Sequence, residues 1–169
     1  MATESIEVAA LIPATALRIY RAWLDGEAHG AMTGGAATVE ANRVGASFTA
    51  WDGYITGRIL ALVPDRRIVQ SWRSTGFPAG APDSTLEVLL APAAGGTRVT
   101  IRHSGIPEGQ GASYLGGWSE HYLEPMSRHF GKVERQARTP ARKAARKPQR
   151  KPVRKVARKP AGKPGRKAA

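Results

Sequence analysis

The spacing of hydrophobic residues changes within the first 25 positions of the chain. Residues 5–8 alternate between polar and apolar side chains, which predicts a first or edge strand that ends near Pro13. Across residues 14–24 the apolar positions recur at three- and four-residue steps, and this spacing predicts an amphipathic helix. Asp25 and Gly26 should end that helix, because this pair favours a turn.

Residues 36–103 consist of short runs rich in Val, Ile, Thr and aromatic residues, separated by turn residues such as Asp52 and Gly53. This pattern predicts five or six antiparallel strands. In these strands one parity is apolar and the other mostly polar, as in a sheet with one buried face. The residues predicted to face the core are Ile68, Gln70, Trp72, Leu86, Val88, Val99, Ile101 and His103. Gln70 and His103 are therefore polar groups at core depth.

Helical spacing returns in residues 113–130, which predicts a long amphipathic helix. Pro125 should kink it, because the proline ring clashes with the carbonyl of His121. The order of strand, helix, antiparallel strands and long helix predicts an α+β domain. Its single curved sheet should bury its apolar face against the last helix. We expect a cavity between the two.

Charge divides the chain near residue 131. Residues 1–131 hold ten Arg, no Lys and twelve acidic residues, a net charge of −2, whereas residues 132–169 hold eight Lys, eight Arg and one Glu, a net charge of +15. We therefore expect one folded domain over residues 1–131 and a disordered basic tail over residues 132–169.

The chain has no Cys, and residues 1–5 lack the basic start of a secretory peptide. No apolar stretch approaches the length of a membrane span, so we expect a cytoplasmic protein.

Within the tail, Lys recurs every four residues from Lys143 to Lys167, usually directly after Arg. Such a polycation predicts binding to nucleic acid, DNA above all, that is nearly blind to sequence and driven by counterion release. Nucleoid association would follow. A solvated tail that prevents aggregation, or binding to anionic lipid or polyphosphate, is the alternative. The predicted nucleic-acid contacts are Arg142, Lys143, Arg146, Lys147, Arg150, Lys151, Arg154, Lys155, Arg158, Lys159, Lys163, Arg166 and Lys167.

Five segments carry a family resemblance: WDGYITGR at 51–58, PDRRIVQSWR at 64–73, GGTRVT at 95–100, HSGIP at 103–107 and GWSEHYLEPM at 117–126. In this order they resemble the START-like, or SRPBCC, superfamily, in the branch of the activator of the heat-shock-protein-90 ATPase (its C-terminal domain). The resemblance implies a helix-grip fold, in which a curved antiparallel sheet wraps the C-terminal helix and leaves an elongated apolar cavity. The tail resembles the C-terminal domains of linker histones.

The candidate ligand-binding residues combine aromatic rings with a few polar groups, as small-molecule cavities do. They are Trp51, Tyr54, Gln70, Trp72, His103, Trp118, His121 and Tyr122. Core packing is the alternative for the aromatic residues. No two His residues have the spacing of a metal site, and no phosphate loop or nucleophile elbow is present, so we expect neither a metal nor a cofactor.

Three functional hypotheses follow. The first is a non-enzymatic domain that binds a small hydrophobic ligand and is tethered to DNA by its tail. The second is an enzyme of cyclase or hydrolase type that uses His103 or His121 as a base. The third is a regulator of the ninety-kilodalton heat-shock chaperone, which the family resemblance implies.

Overall fold

A computed structural model describes residues 2–138, with side chains up to Gln136. Its strands are β1 (Thr3–Ile12), β2 (Ala37–Val39), β3 (Ser47–Ala50), β4 (Ile55–Val63), β5 (Arg67–Ser74), β6 (Ser84–Ala93) and β7 (Gly96–Pro107). Its helices are α1 (Ala16–Trp23), α2 (Gly26–Thr33), α3 (Gly111–Trp118) and α4 (Glu124–Arg138), with a π-helical turn at Ser119–Leu123 between the last two.

The seven strands form one antiparallel sheet in the order β1-β7-β6-β5-β4-β3-β2. The register pairs Gln70 with Leu86, and Leu86 with His103, so these three side chains lie on the same face. Every residue predicted to face the core is at most 3% exposed. The predicted α+β class and helix-grip fold are therefore confirmed, with six strands after the first helix.

The opposite face of the sheet carries a row of alternating charges across four strands. Arg102 Nε lies 2.6 Å from Glu7 Oε2, and Arg67 forms an ion pair with Glu87. Glu87 is also the strand partner of Arg102, so acid and base alternate from β1 to β5. Because charged side chains favour contact with solvent, this row makes the outer face the solvent-facing one. The hydrophobic core forms on the inner face.

Two helices follow β1, where the sequence predicted one. Asp25 does not end α1; its carboxylate accepts a hydrogen bond from the Ala28 backbone N–H at 2.8 Å and so begins α2. Gly26 is required there because a Cβ would lie 2.8 Å from the carbonyl oxygen of Ala37. Asp25 and Gly26 do mark a helix boundary, but it is the start of α2, which packs closely on β2.

Pro125 lies just after the π-helical turn, and the turn explains how a helix accommodates it. The Glu124 N–H bonds to the carbonyl of Ser119, five residues back, so the chain is widened by one residue before the proline. Proline cannot donate to His121, and its ring needs space beside that carbonyl. The sequence predicted a kink at Pro125. The structure instead has a wide π-helical turn just before it, and the helical segment continues.

The last helix is longer than predicted. The sequence indicated an end near Phe130 and disorder from Lys132, but α4 continues to Arg138. Residues 132–138 are rich in good helix formers, and Val133 extends the apolar side of the helix one turn past Phe130. The nucleic-acid contacts predicted from Arg142 onwards lie outside the described residues. Within residues 2–138, no helix is long and apolar enough to cross a membrane.

Candidate ligand cavity

A cavity of about 680 Å³ lies between the C-terminal helical segment and the end of the sheet formed by β3 to β5. Its volume is within the range of small-molecule sites. The lining residues come from the β3–β4 turn, from β4 and β5, and from α3 with the π-helical turn. They are Trp51, Tyr54, Ile55, Trp72, Ala112, Ser113, Tyr114, Gly116, Gly117, Trp118, Glu120, His121 and Tyr122.

Five aromatic side chains form a continuous wall along the cavity. Their ring centroids are separated by 6.4 Å from Trp51 to Tyr122, 4.6 Å from Tyr122 to Trp118, 5.9 Å from Trp118 to Trp72 and 5.0 Å from Trp72 to Tyr114. Neighbouring rings are inclined by 53° to 80°. Such contacts are favourable for aromatic pairs, so the wall is held by its own packing.

Trp51 is placed at the cavity by an unusual backbone. Trp51 and Asp52 both have φ of 54°, and Gly53 has φ of 85°. A left-handed conformation is strained for a bulky residue and persists only where the surroundings hold it. The Trp51 ring lies directly over Gly35, where an added Cβ would come within 2.5 Å of the ring. The absence of a side chain at Gly35 thus gives the indole its place.

His103 joins the helix to the sheet beneath this wall. Trp118 Nε1–H donates to His103 Nδ1 at 3.2 Å. The imidazole proton must then lie on Nε2, which donates to Ser84 Oγ at 2.7 Å, while the Ser84 hydroxyl donates to the Trp72 carbonyl at 2.7 Å. Burial lowers the pKa of His103 from 6.5 to about 4, so the ring is neutral at physiological pH. His103 therefore fixes Trp118 relative to Trp72.

Tyr114 is a lining residue whose hydroxyl is hydrogen-bonded within the protein. Its hydroxyl donates to Gln110 Oε1 at 3.0 Å and lies 2.6 Å from Ser74 Oγ. Gln110 Nε2 in turn donates to the Gly76 carbonyl at 3.0 Å, which ties α3 to the loop after β5. Burial raises the pKa of the Tyr114 hydroxyl, so this group stays protonated and uncharged at neutral pH.

Six of the eight predicted ligand-binding residues line the cavity: Trp51, Tyr54, Trp72, Trp118, His121 and Tyr122. Gln70 and His103 do not. Gln70 Oε1 accepts a hydrogen bond from Trp23 Nε1 at 3.0 Å within the core. The sequence analysis placed Ser113 and Tyr114 in the last helix but did not include either among the ligand-binding residues. The helical spacing that links Tyr114 to Trp118 was the signal that could have found Tyr114.

The hydrogen bonds limit the chemistry available to the two histidines considered as bases. Both ring nitrogens of His103 are occupied, and its Nε2 donates to Ser84 rather than accepting the serine proton, as a nucleophilic pair would require. His121 is exposed at the cavity mouth beside Trp51, at 5.4 Å between ring centroids. Within residues 2–138 no three His, Asp or Glu side chains gather as metal ligands.

The curved antiparallel sheet, the C-terminal helical segment across it and the aromatic cavity between them define a helix-grip, START-like domain. A family model with the description "Activator of Hsp90 ATPase homolog 1-like protein" matches residues 13–131. The chain belongs to this family.

Relatives and solved structures agree with this assignment. The chain is 32% identical over 113 residues to human "Activator of 90 kDa heat shock protein ATPase homolog 1", which covers 67% of this chain and 33% of the human protein. The chain thus spans about a third of the length of that curated relative. An HSP90 activator from Plasmodium falciparum superposes with a TM-score of 0.65 at 19% identity, covering 75% of this chain and 96% of that one. A protein from Chromobacterium violaceum gives 0.59 at 30% identity, covering 73% and 94%.

Proposed function

We propose that the helix-grip domain binds a small, largely apolar ligand in its cavity. The observation that supports this proposal is the aromatic wall along about 680 Å³ of space, where six of the thirteen lining residues are Trp or Tyr. Cavities of this size lined by aromatic side chains are typical ligand sites. The hydrogen-bonded support of Trp118 by His103 holds one side of the cavity in place before a ligand arrives, which reduces the ordering that binding would require.

A cavity-filling variant tests this proposal with the neutral dye N-phenyl-1-naphthylamine, which fluoresces strongly in apolar surroundings. Gly116 lines the cavity, and no atom lies within 4 Å of a Cβ built there. Gly116→Leu should therefore place its side chain in the cavity and reduce dye affinity at least tenfold. Ser119→Leu adds the same side chain to a neighbouring residue outside the lining and serves as the control. Unchanged dye binding by a folded Gly116→Leu variant would contradict the proposal.

We also propose that the basic tail binds nucleic acid, most simply DNA, without sequence preference. The supporting observation is compositional: residues 139–169 contain thirteen Lys and Arg and no acidic residue. If about eight of these charges meet phosphates, log K should fall with log salt at a slope of about −7. An electrophoretic shift assay would compare the full chain with residues 1–138, on two duplexes of unrelated sequence. Equal affinity of the two proteins would refute the proposal.

A chaperone partner is a second candidate for the folded domain, and the observation that favours it is family membership together with 32% identity to the human activator. The match covers one third of that relative, so its activity does not transfer by itself. The direct test is stimulation of the ATPase of the ninety-kilodalton heat-shock chaperone by the full chain. Absence of both stimulation and binding in a pull-down would remove this candidate.

A further inference from the structure

The charge on the cavity lining is not balanced. Among the lining residues within the described part of the chain, Glu120 is the single acidic residue, and neither Lys nor Arg is present. Glu120 also forms no ion pair with any residue between positions 2 and 138. The next acidic residue of the helical segment, Glu124, is not a lining residue, and its carboxylate lies 3.5 Å from Arg128 Nη1. The cavity mouth therefore offers one free carboxylate.

The aromatic wall next to Glu120 also presents negative electrostatic potential, which favours a cation. The face of an aromatic ring is the negative part of its quadrupole, and Trp gives the strongest attraction to a cation. Three of the four Trp residues of the chain, Trp51, Trp72 and Trp118, line the cavity. Trp51 is half-buried and presents part of its ring to the cavity, whereas Trp72 and Trp118 are 2% and 3% exposed and contribute little accessible surface. An organic cation in the cavity would be attracted both by the accessible part of the Trp51 ring and by Glu120.

An anionic ligand would be disfavoured in the same cavity. A carboxylate or phosphate in this cavity would lie near Glu120 with no lining Lys or Arg to compensate, and an uncompensated like charge discriminates strongly against a ligand. The Ser113 hydroxyl, also in the lining, is neutral and suits a hydroxyl or ether. We infer that the cavity takes an organic cation, an aryl or alkyl ammonium compound, with its charged end towards Glu120. This inference rests on the proposed ligand-binding function.

A pair of ligands with the same shape and different charge tests the inference. The probes are (3-hydroxyphenyl)trimethylammonium and 3-tert-butylphenol, which differ only in the replacement of a quaternary nitrogen by carbon. Tryptophan fluorescence of the full chain reports binding, since three of its four Trp residues line the cavity. We expect the ammonium probe to bind at least tenfold more tightly, because cation–π attraction adds to the contacts that both probes share.

Glu120→Gln should weaken the ammonium probe three- to tenfold and leave the phenol unchanged. Glu124→Gln, one helical turn further on, should change neither affinity. If both probes bind equally well, or the phenol more tightly, or if Glu120→Gln weakens both alike, the cation preference is overturned while the ligand-binding function stands. If neither probe binds and the neutral dye also fails to bind, the ligand-binding function is overturned and the cation preference falls with it.

Discussion

Acidification should destabilise this domain through His103. The imidazole is fully buried and lies between the rings of Trp72, Tyr114 and Trp118, at centroid distances of 4.6, 5.7 and 5.8 Å. Its Nδ1 accepts from Trp118 Nε1 and its Nε2 donates to Ser84. A second proton would have to enter at Nδ1, where it would face the indole N–H and break the bond that holds Trp118.

The sign and size of the effect follow from linkage. The pKa of His103 is lowered by burial from 6.5 to about 4, so the unfolded chain binds this proton at a higher pH than the folded chain does. The neutral ring stabilises the fold fully above pH 6.5, and this contribution is lost as the pH falls from 6.5 towards 4. At pH 4.5 the loss from His103 alone is about 2.5 kcal/mol. His29, whose pKa burial also lowers, adds a loss in the same direction.

The assay is urea unfolding of the full chain, followed by tryptophan fluorescence at pH 7.5, 6.5, 5.5 and 4.5. The informative variant is His103→Gln, because an amide can accept from Trp118 and donate to Ser84 but does not titrate. The wild type should lose about 2.5 kcal/mol more than this variant between pH 7.5 and 4.5. The contribution of His29 is present in both proteins and cancels. An equal loss in both would refute the reasoning.

Three substitutions test other parts of the fold by urea unfolding at pH 7.5. Gly35→Ala should cost about 1–3 kcal/mol and shift the tryptophan emission, because the new methyl group would overlap the Trp51 ring; an unchanged midpoint would show that the ring is free to move. Gly116→Ala should stabilise by about 0.5–1 kcal/mol, since the position is helical and open. Glu4→Gln should cost about 1 kcal/mol, because the Glu4 carboxylate accepts from the N–H groups of Gly109 and Gly111 at the start of α3; a loss near zero would contradict this capping role.

The sheet was predictable from the sequence because its inner and outer faces differ so clearly. In β6 and β7 each side chain contacts either the core or water, so parity alone placed Val88 and Ile101 inside and Glu87 and Arg102 outside. The same parity placed His103 in the core even though the residue is polar. The rule depends only on the backbone alternation of a strand, and a side chain cannot leave its face without shifting the register.

The helices were less predictable because their ends depend on contacts distant in sequence. The pair Asp25 and Gly26 fits the end of one helix as well as the beginning of another, and what decides is the close approach of Gly26 to the backbone of β2. The end of α4 was predicted too early for a different reason. The change in net charge near residue 131 was taken as a structural boundary, but Lys, Arg and Gln are good helix formers, and the helix continues to Arg138.

Most aromatic residues of the cavity could be predicted from the sequence, whereas two of the predicted polar ones, Gln70 and His103, lie outside its lining for a physical reason. An aromatic side chain that points inwards can pack in the core and line a cavity at once, so inward spacing found Trp72, Trp118 and Tyr122 without knowledge of the space beside them. A buried polar group must instead satisfy its hydrogen bonds, and the partner decides its role. Gln70 is bonded to Trp23, and His103 to Ser84 and Trp118, so both are occupied within the protein. His103 thereby supports Trp118 in the aromatic wall, and Gln70 supports Trp23 in the core.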